Sequence, residues 1–168
     1  RVNADLANNL GNLAQRSLSM INKNCDGKVP TPGPLTEADQ AIVAEVGEAI
    51  DAAQKAMDAQ LIHEATGAII AALSSANNYF AAQEPWALKK TDPDRMATVL
   101  YVTADTVRRL TIPMQAFVPA SAARLLDQLS IPQENRQLAD SKVPAGLQPG
   151  AALPVPQGVF ARLERKAE

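Results

Sequence analysis

The sequence predicts an all-α helical bundle closed by an extended, proline- and glycine-rich C-terminal tail. Three observations carry this. The 168 residues are 46% hydrophobic but only 4% aromatic, and alanine alone supplies 31 of them, a composition that favours helix over sheet. Apolar residues recur at steps of three and four, the period of an amphipathic helix. Prolines cluster in the breaks between those runs and in the last quarter of the chain.

The first helix spans about Val2 to Lys23. With Leu10 as the zero of a helical wheel, Leu6, Leu13, Ala14, Leu18, Met20 and Ile21 fall within about 80° of it. Asn8, Asn12 and Arg16 gather opposite. Asparagine and Gly11 are poor interior helix formers, Gly11 costing roughly 1 kcal/mol against alanine, so this amide-rich stripe needs a reason. Asn24 to Leu35 is a break: Cys25-Asp26-Gly27-Lys28 reads as a turn, and Pro30, Pro32 and Pro34 forbid helix. Thr36 caps a second helix, with Asp39 in the place usually held by the Glu of a capping box. Its apolar side is Ile42, Val46, Ala49, Ile50, Ala53 and Met57. Its outer face is acidic, with six acids and one lysine from Thr36 to Asp58, a surface nucleic acid would avoid.

A third helix is expected over about Ala59 to Gln83, with Ile62, Ala65, Ile69, Leu73, Ala76 and Phe80 inward. Its many alanines allow close helix packing. Glu84-Pro85-Trp86 reads as a corner, because the residue before a proline is pushed out of helical geometry. A fourth helix starts near Thr91-Asp92-Pro93, carries Met96, Val99, Leu100, Thr103, Val107 and Leu110, and is interrupted by Pro113. A fifth covers about Ala116 to Leu129, with Leu125, Leu126 and Leu129 inward. Residues 1–131 thus form the bundle. Residues 132–168 are expected to hold one short helix, about Pro132 to Asp140, and then an extended tail. Val155, Val159, Phe160 and Leu163 are too apolar for a free linker, so the tail should pack on the bundle or on a part of the protein outside these residues.

Composition narrows function by exclusion. Sixteen basic against eighteen acidic residues argue against a nucleic-acid-binding arm of the wholly basic kind. No apolar run approaches the roughly 18 residues of a membrane span. The one cysteine, Cys25, excludes an internal disulfide and a cysteine-based zinc knuckle, and fits a reducing, cytoplasmic compartment. The chain starts at Arg1 without a signal-peptide pattern and is expected to be a piece of a longer protein. No phosphate-binding glycine loop and no G-x-S-x-G elbow occurs. The one histidine, His63, has no second histidine to complete a metal pair, and Cys25 has no histidine partner to make it a nucleophile. No catalytic and no metal residue is therefore assigned.

Two features remain. Asn12 and Arg16 are four apart, so their side chains emerge together, an amide with donor and acceptor beside a planar guanidinium fork. Trp86, the only tryptophan, stands at a proline-broken helix end, followed by Lys89 and Lys90. Single-stranded RNA is read by stacking splayed bases on aromatic rings and hydrogen-bonding their edges. Residues 1–23 carry a net charge of +2, which suits that reading. Spacing alone leaves other readings open: a lone tryptophan can be a core plug, and a polar stripe can be a solvated face or an interdomain patch.

These residues carry a resemblance. Val2-Asn3-Ala4-Asp5-Leu6-Ala7-Asn8-Asn9-Leu10-Gly11-Asn12-Leu13-Ala14-Gln15-Arg16 resembles the opening helix of the anticodon-binding domain of bacterial methionyl-tRNA synthetases. Asn77-Asn78-Tyr79-Phe80 with Glu84-Pro85-Trp86-Ala87-Leu88, then Val99-Leu100-Tyr101, then Leu147 to Glu164 are similar to later family segments, in order. The resemblance implies the helical bundle of class I synthetase anticodon domains and a methionine tRNA partner, bound at its CAU anticodon loop. It implies that Trp86 stacks on a flipped-out base, that Pro85 shapes the corner, and that Asn12 and Arg16 bond base edges. Asn8 joins them from the helical wheel. DNA is not an expected partner. The family's H-I-G-H and K-M-S-K-S type motifs do not occur here. The segment is thus expected to bind without a cofactor and without catalysis, leaving ATP with magnesium, and any zinc, to a catalytic domain toward which the tail folds. Ala161 and Ala116 stand where the family commonly has proline, a departure that touches the tail and a helix junction. The alternatives are the anticodon domain of another class I synthetase, such as cysteinyl or leucyl, or a helical protein-interaction module without RNA.

Overall fold

The computed structural model describes residues 9–160. Seven α-helices run in chain order: α1 Asn12–Asn24, α2 Glu37–Asp58, α3 Ile62–Gln83, α4 Pro85–Thr91, α5 Pro93–Met114, α6 Pro119–Gln128 and α7 Leu138–Lys142. The described residues form no sheet; one isolated antiparallel bridge joins Lys28 and Ala152. The helical bundle expected from composition and periodicity is what the chain adopts.

α5 is the central helix. It packs against α1, α2, α3, α4, α6 and α7. Its residues from Thr98 to Ile112 are all buried, the polar ones included. Threonines 103 and 111 return their hydroxyls to the carbonyls of Val99 and Val107, at 2.8 and 2.6 Å. Burying hydroxyls at this price requires such a bond, and both have it. The core is made by Leu10, Leu13, Leu18 and Ile21 of the first helix, Ile42, Val46 and Ile50 of α2, Ile69, Leu73 and Phe80 of α3, and Val99, Leu100, Val107 and Leu110 of α5. Ala65, Ala72 and Ala76 are buried on α3, where small side chains let neighbouring helices approach.

The capping box at α2 forms as expected: Thr36 Oγ1 accepts from Asp39 N, and Asp39 Oδ2 accepts from Thr36 N at 2.9 Å. Asp39 is, however, buried rather than part of the acidic outer face. It also accepts from Arg95 on α5 and from the Tyr79 hydroxyl on α3, tying three helices at one carboxylate.

Several expectations are corrected. Pro113 does not interrupt its helix: α5 runs through it to Met114, because a proline in the last turn removes one bond only, and Ile112 and Met114 are buried around it. The third helix starts at Ile62 rather than Ala59, since Gln60 adopts φ 61° and breaks the chain without a glycine. Its first apolar residue, Ile62, is 56% exposed, and Met57 at the facing end of α2 is 39% exposed. Ile62 stands in the first turn of α3, and Met57 borders a cavity lined also by Ala65, Ile69 and Ile112. α6 starts at Pro119, not Ala116, with proline in the first helical position. The short helix set over Pro132 to Asp140 is a 3-10 turn at Gln133–Asn135 followed by α7. Leu6 and Leu163 lie outside the described residues, and Val155 is 70% exposed.

The segment after α7 runs along the bundle. Arg108 donates to the carbonyls of Asp140 and Val143, at 3.0 and 2.6 Å, while its Nε pairs with Asp105 Oδ1 at 2.8 Å. Asp105 in turn accepts the backbone amides of Ala145 and Gly146, at 2.8 and 3.0 Å. Tyr101 donates its hydroxyl to Leu147 O at 2.8 Å. Val29 N donates to Ala151 O, and Gly150 N and Leu153 N donate to Val29 O and Gly27 O. Arg109, buried and in no direct ion pair among the described residues, donates to Ser141 O and Val43 O, both at 2.9 Å. Its burial lowers the guanidinium pKa. Every buried side-chain nitrogen and oxygen among the described residues has a partner.

Candidate nucleic-acid interface

Two elements build the site: the first helix and the α3–α4 corner. α3 ends at Gln83, and Glu84 turns the chain with φ 44° and ψ 54°. Pro85 then opens α4 instead of lying in an irregular corner, as sequence alone had it. Its missing N–H falls where a helix start needs none. Pro85 is buried, whereas Trp86, the next residue, is 44% exposed. The buried proline thus anchors the turn that holds the indole at the surface.

Trp86 does not stand alone. Its ring meets Phe80 edge-to-face, with centroids 6.0 Å apart and planes at 63°. The Arg16 guanidinium carbon lies 5.0 Å from the Phe80 centroid and 5.3 Å from the Trp86 centroid. Both distances are within cation–π range, worth about 0.5–1 kcal/mol each at an exposed site. Among the described residues no carboxylate pairs with Arg16, and its guanidinium lies over two aromatic rings. Asn12 is exposed one helical turn before Arg16, on the same side of α1. Asn8 lies outside the described residues. A wide π-type turn at residues 9–11 precedes α1, and Asn77 of α3 donates its amide to the Asn9 carbonyl at 3.3 Å, pinning this end of the first helix to α3.

The arrangement therefore brings Arg16 and Trp86 together, seats Pro85 behind them, and leaves Asn12 exposed one turn away. Sequence reasoning placed Phe80 in the core only. It is 1% exposed, yet it forms the floor on which both Arg16 and Trp86 rest. Its spacing six residues before Trp86 gave no sign of this, because the link depends on the left-handed turn at Glu84. Lys89 and Lys90 are exposed in the last turn of α4, adding positive charge beside the indole.

Chemically, the site is an open face with an aromatic plane, a fork of N–H donors and an amide. It offers stacking and base-edge hydrogen bonding and no group poised for proton or acyl transfer. Two surface cavities, of roughly 300 and 390 Å³, lie elsewhere on the bundle and include none of Arg16, Pro85 or Trp86. His63 is exposed, with Nε2 3.8 Å from Glu64 Oε1. Cys25 is half-buried, and burial, with Asp26 beside it, raises its thiol pKa. No group of three or more metal-ligating side chains occurs among the described residues, and none of the described helices is long and apolar enough to cross a membrane.

Comparison with known proteins gives a consistent result. Residues 29–168 match the family described as the anticodon binding domain of methionyl tRNA ligase, a span that contains Pro85 and Trp86 and begins after Asn12 and Arg16. The chain is 59% identical over 162 residues to the methionine–tRNA ligase of Brucella suis biovar 1 (strain 1330), covering 96% of this chain and 31% of that protein. It is 45% identical over 168 residues to the methionine–tRNA ligase of Mycobacterium tuberculosis (strain ATCC 25618 / H37Rv), covering 98% of this chain and 32% of the relative. Among solved structures, the free-state Mycobacterium tuberculosis methionyl-tRNA synthetase superposes with a TM-score of 0.94 at 45% identity, covering 99% of this chain and 34% of that one. The same enzyme bound by methionyl-adenylate gives a TM-score of 0.91, covering 96% of this chain and 32% of that one. The chain thus spans about a third of the length of the curated relatives it matches. The bundle, the Pro85-Trp86 corner and the family match together establish that this chain belongs to the anticodon-binding domains of methionyl-tRNA ligases.

Proposed function

We propose that this chain recognises the CAU anticodon loop of methionine tRNA as the binding part of a methionine–tRNA ligase working in the cytoplasm. Trp86 stacks on a base turned out of the loop. Arg16 and Asn12 hydrogen-bond base edges, Asn8 extends the same stripe, and Pro85 fixes the corner. The observation that carries the reading is the meeting of Arg16 and Trp86 over Phe80 on an exposed face. A tryptophan that only plugged a core would not stand 44% exposed. An arginine lying over two rings is held in place, with its N–H fork presented beside the indole. In this reading residues 1–131 are the recognition bundle, and residues 132–168 brace it and face the catalytic part. Activation of methionine with ATP and magnesium, and transfer to tRNA, belong to that part. A relative of which this chain covers 32% is described as bound by methionyl-adenylate, which fits methionine activation by the whole enzyme.

The test is a titration of the 168-residue chain with two RNA hairpins, one carrying a CAU loop and one a scrambled loop. The CAU hairpin is expected to bind more tightly. Trp86→Ala removes one base stack, worth about 1–3 kcal/mol, and should weaken it by about 5- to 150-fold. Affinity should fall with salt as phosphate contacts are screened. Equal affinity for the two loops refutes the reading and favours a protein-interaction module.

A further inference from the structure

The helix that carries Trp86 is short, and α4 alone has too few turns to hold a rigid position. Both of its ends lead to one residue, Arg95 on α5. At the front, Arg95 Nη2 donates to Gln83 Oε1 at 2.6 Å, and Gln83 is the last residue of α3, two before Pro85. At the back, Asp92 Oδ1 accepts from the Arg95 backbone amide at 3.0 Å, and Asp92 is the residue that follows α4. The guanidinium itself is fixed. Nη1 and Nη2 donate to Asp39 Oδ2 and Oδ1 at 2.6 and 2.8 Å, a bidentate pair on a carboxylate that no solvent reaches. The Tyr79 hydroxyl donates to the same Oδ1 at 2.5 Å, and Nη2 also reaches Thr36 Oγ1 at 3.4 Å.

We infer that Arg95 is a positioning residue for Trp86: through Gln83 it transmits the rigidity of the buried Asp39 pair to the left-handed turn at Glu84, and so sets the height and tilt of the indole. The RNA consequence rests on the anticodon reading above; the positional claim does not. A residue at φ 44° without glycine's freedom is held there by its surroundings, and the Gln83 bond is the polar contact immediately before it. Among the described residues Arg95 hydrogen-bonds to no proposed RNA-binding side chain, and it reaches the site through the corner.

Arg95 is the wrong residue to cut, since its loss leaves Asp39 buried and unpaired. Gln83 is the informative one. Gln83→Met keeps a long, helix-forming side chain and removes the amide with its acceptor oxygen, while Nη2 keeps Asp39. Gln83→Glu restores an acceptor. The only tryptophan of the chain is the reporter, so emission and acrylamide quenching read Trp86 directly. Gln83→Met is expected to shift both, with its urea midpoint close to that of the unmodified chain, and Gln83→Glu to return both. The preference for the CAU over the scrambled hairpin should fall about three- to tenfold in Gln83→Met, part of one stacking contribution. Unchanged emission and quenching in Gln83→Met overturn the inference. A shifted spectrum with an unchanged preference overturns its RNA part. If the unmodified chain shows no loop preference, the anticodon reading fails, and the fluorescence arm still decides the role of Arg95.

Discussion

Asp39→Asn is the substitution whose consequence follows most directly from the structure. The two carboxylate oxygens divide four donors between them. Oδ1 accepts from Tyr79 and Arg95 Nη2, and Oδ2 accepts from Thr36 N and Arg95 Nη1. An amide nitrogen placed at either oxygen would face two donors and accept from neither. The expected cost near neutral pH is about 3 kcal/mol, in the range for disrupting a buried pair. Acid adds a second signature. Burial alone would raise the Asp39 pKa, but the hydrogen bonds from Arg95, Tyr79 and the Thr36 backbone outweigh it and bring the group down from 3.8 to about 2. A carboxylate whose folded-state pKa is depressed stabilises the fold fully above the unfolded value, and that contribution is lost as pH falls through the folded value. At 1.36 kcal/mol per unit, the shift amounts to about 2 kcal/mol. The asparagine variant has no such group. The stability gap between the two chains should therefore narrow by about 2 kcal/mol between about pH 5 and about pH 2. Urea denaturation followed by far-ultraviolet circular dichroism at a series of pH values measures it. A gap that stays constant across that range would refute the argument.

Three further outcomes are expected. Gly146→Ala should destabilise by about 1–3 kcal/mol in thermal melts, because the new Cβ would lie 2.4 Å from Arg108 Cζ, and that guanidinium is held by Asp105, Asp140 O and Val143 O. Phe80→Leu should cost about 1 kcal/mol in urea denaturation through the lost edge-to-face pair and ring volume, and should also weaken hairpin binding by loosening Arg16 and Trp86 together. Arg16→Lys should keep the charge yet lose most of the CAU preference in the hairpin titration, since an ammonium lacks the planar fork; retention of full preference would show that only charge matters there.

The fold was largely legible because it depends on periodicity. Leu13, Leu18, Val46, Ile50, Ile69, Leu73 and the leucines of α6 all occupy the inward positions their spacing gave them. Errors arose where a boundary depends on tertiary burial rather than on local chemistry. Pro113 looked like a break, but a last-turn proline between two buried residues is tolerated. Gln60 carries no turn signal, and only the packed α2–α3 hairpin sets its left-handed backbone. Ile62 and Met57 keep the apolar period of their helices and are nevertheless exposed, because the period does not say how far the neighbouring elements cover a face. At the site, Arg16 and Trp86 were singled out by residue type, and the structure shows them in contact. Phe80 and Arg95 were not, for a common reason. Each works by holding another side chain, so its importance lies in distances between segments far apart in sequence.

The backbone bonds between residues 27–29 and residues 150–153 also bear on how the molecule is completed. They close a loop of about 120 residues, and such distant pairings form late, because the chain between them must first be ordered. On the ribosome, Val29 emerges long before its partners at Gly150 and Ala151 exist. The loop that leaves α1 at residues 27–29 gains these bonds only after the tail has been synthesised. The loop that follows the Arg16 helix is thus tied down by a segment about 120 residues later, and a chain stalled before Gly150 would lack that fastening.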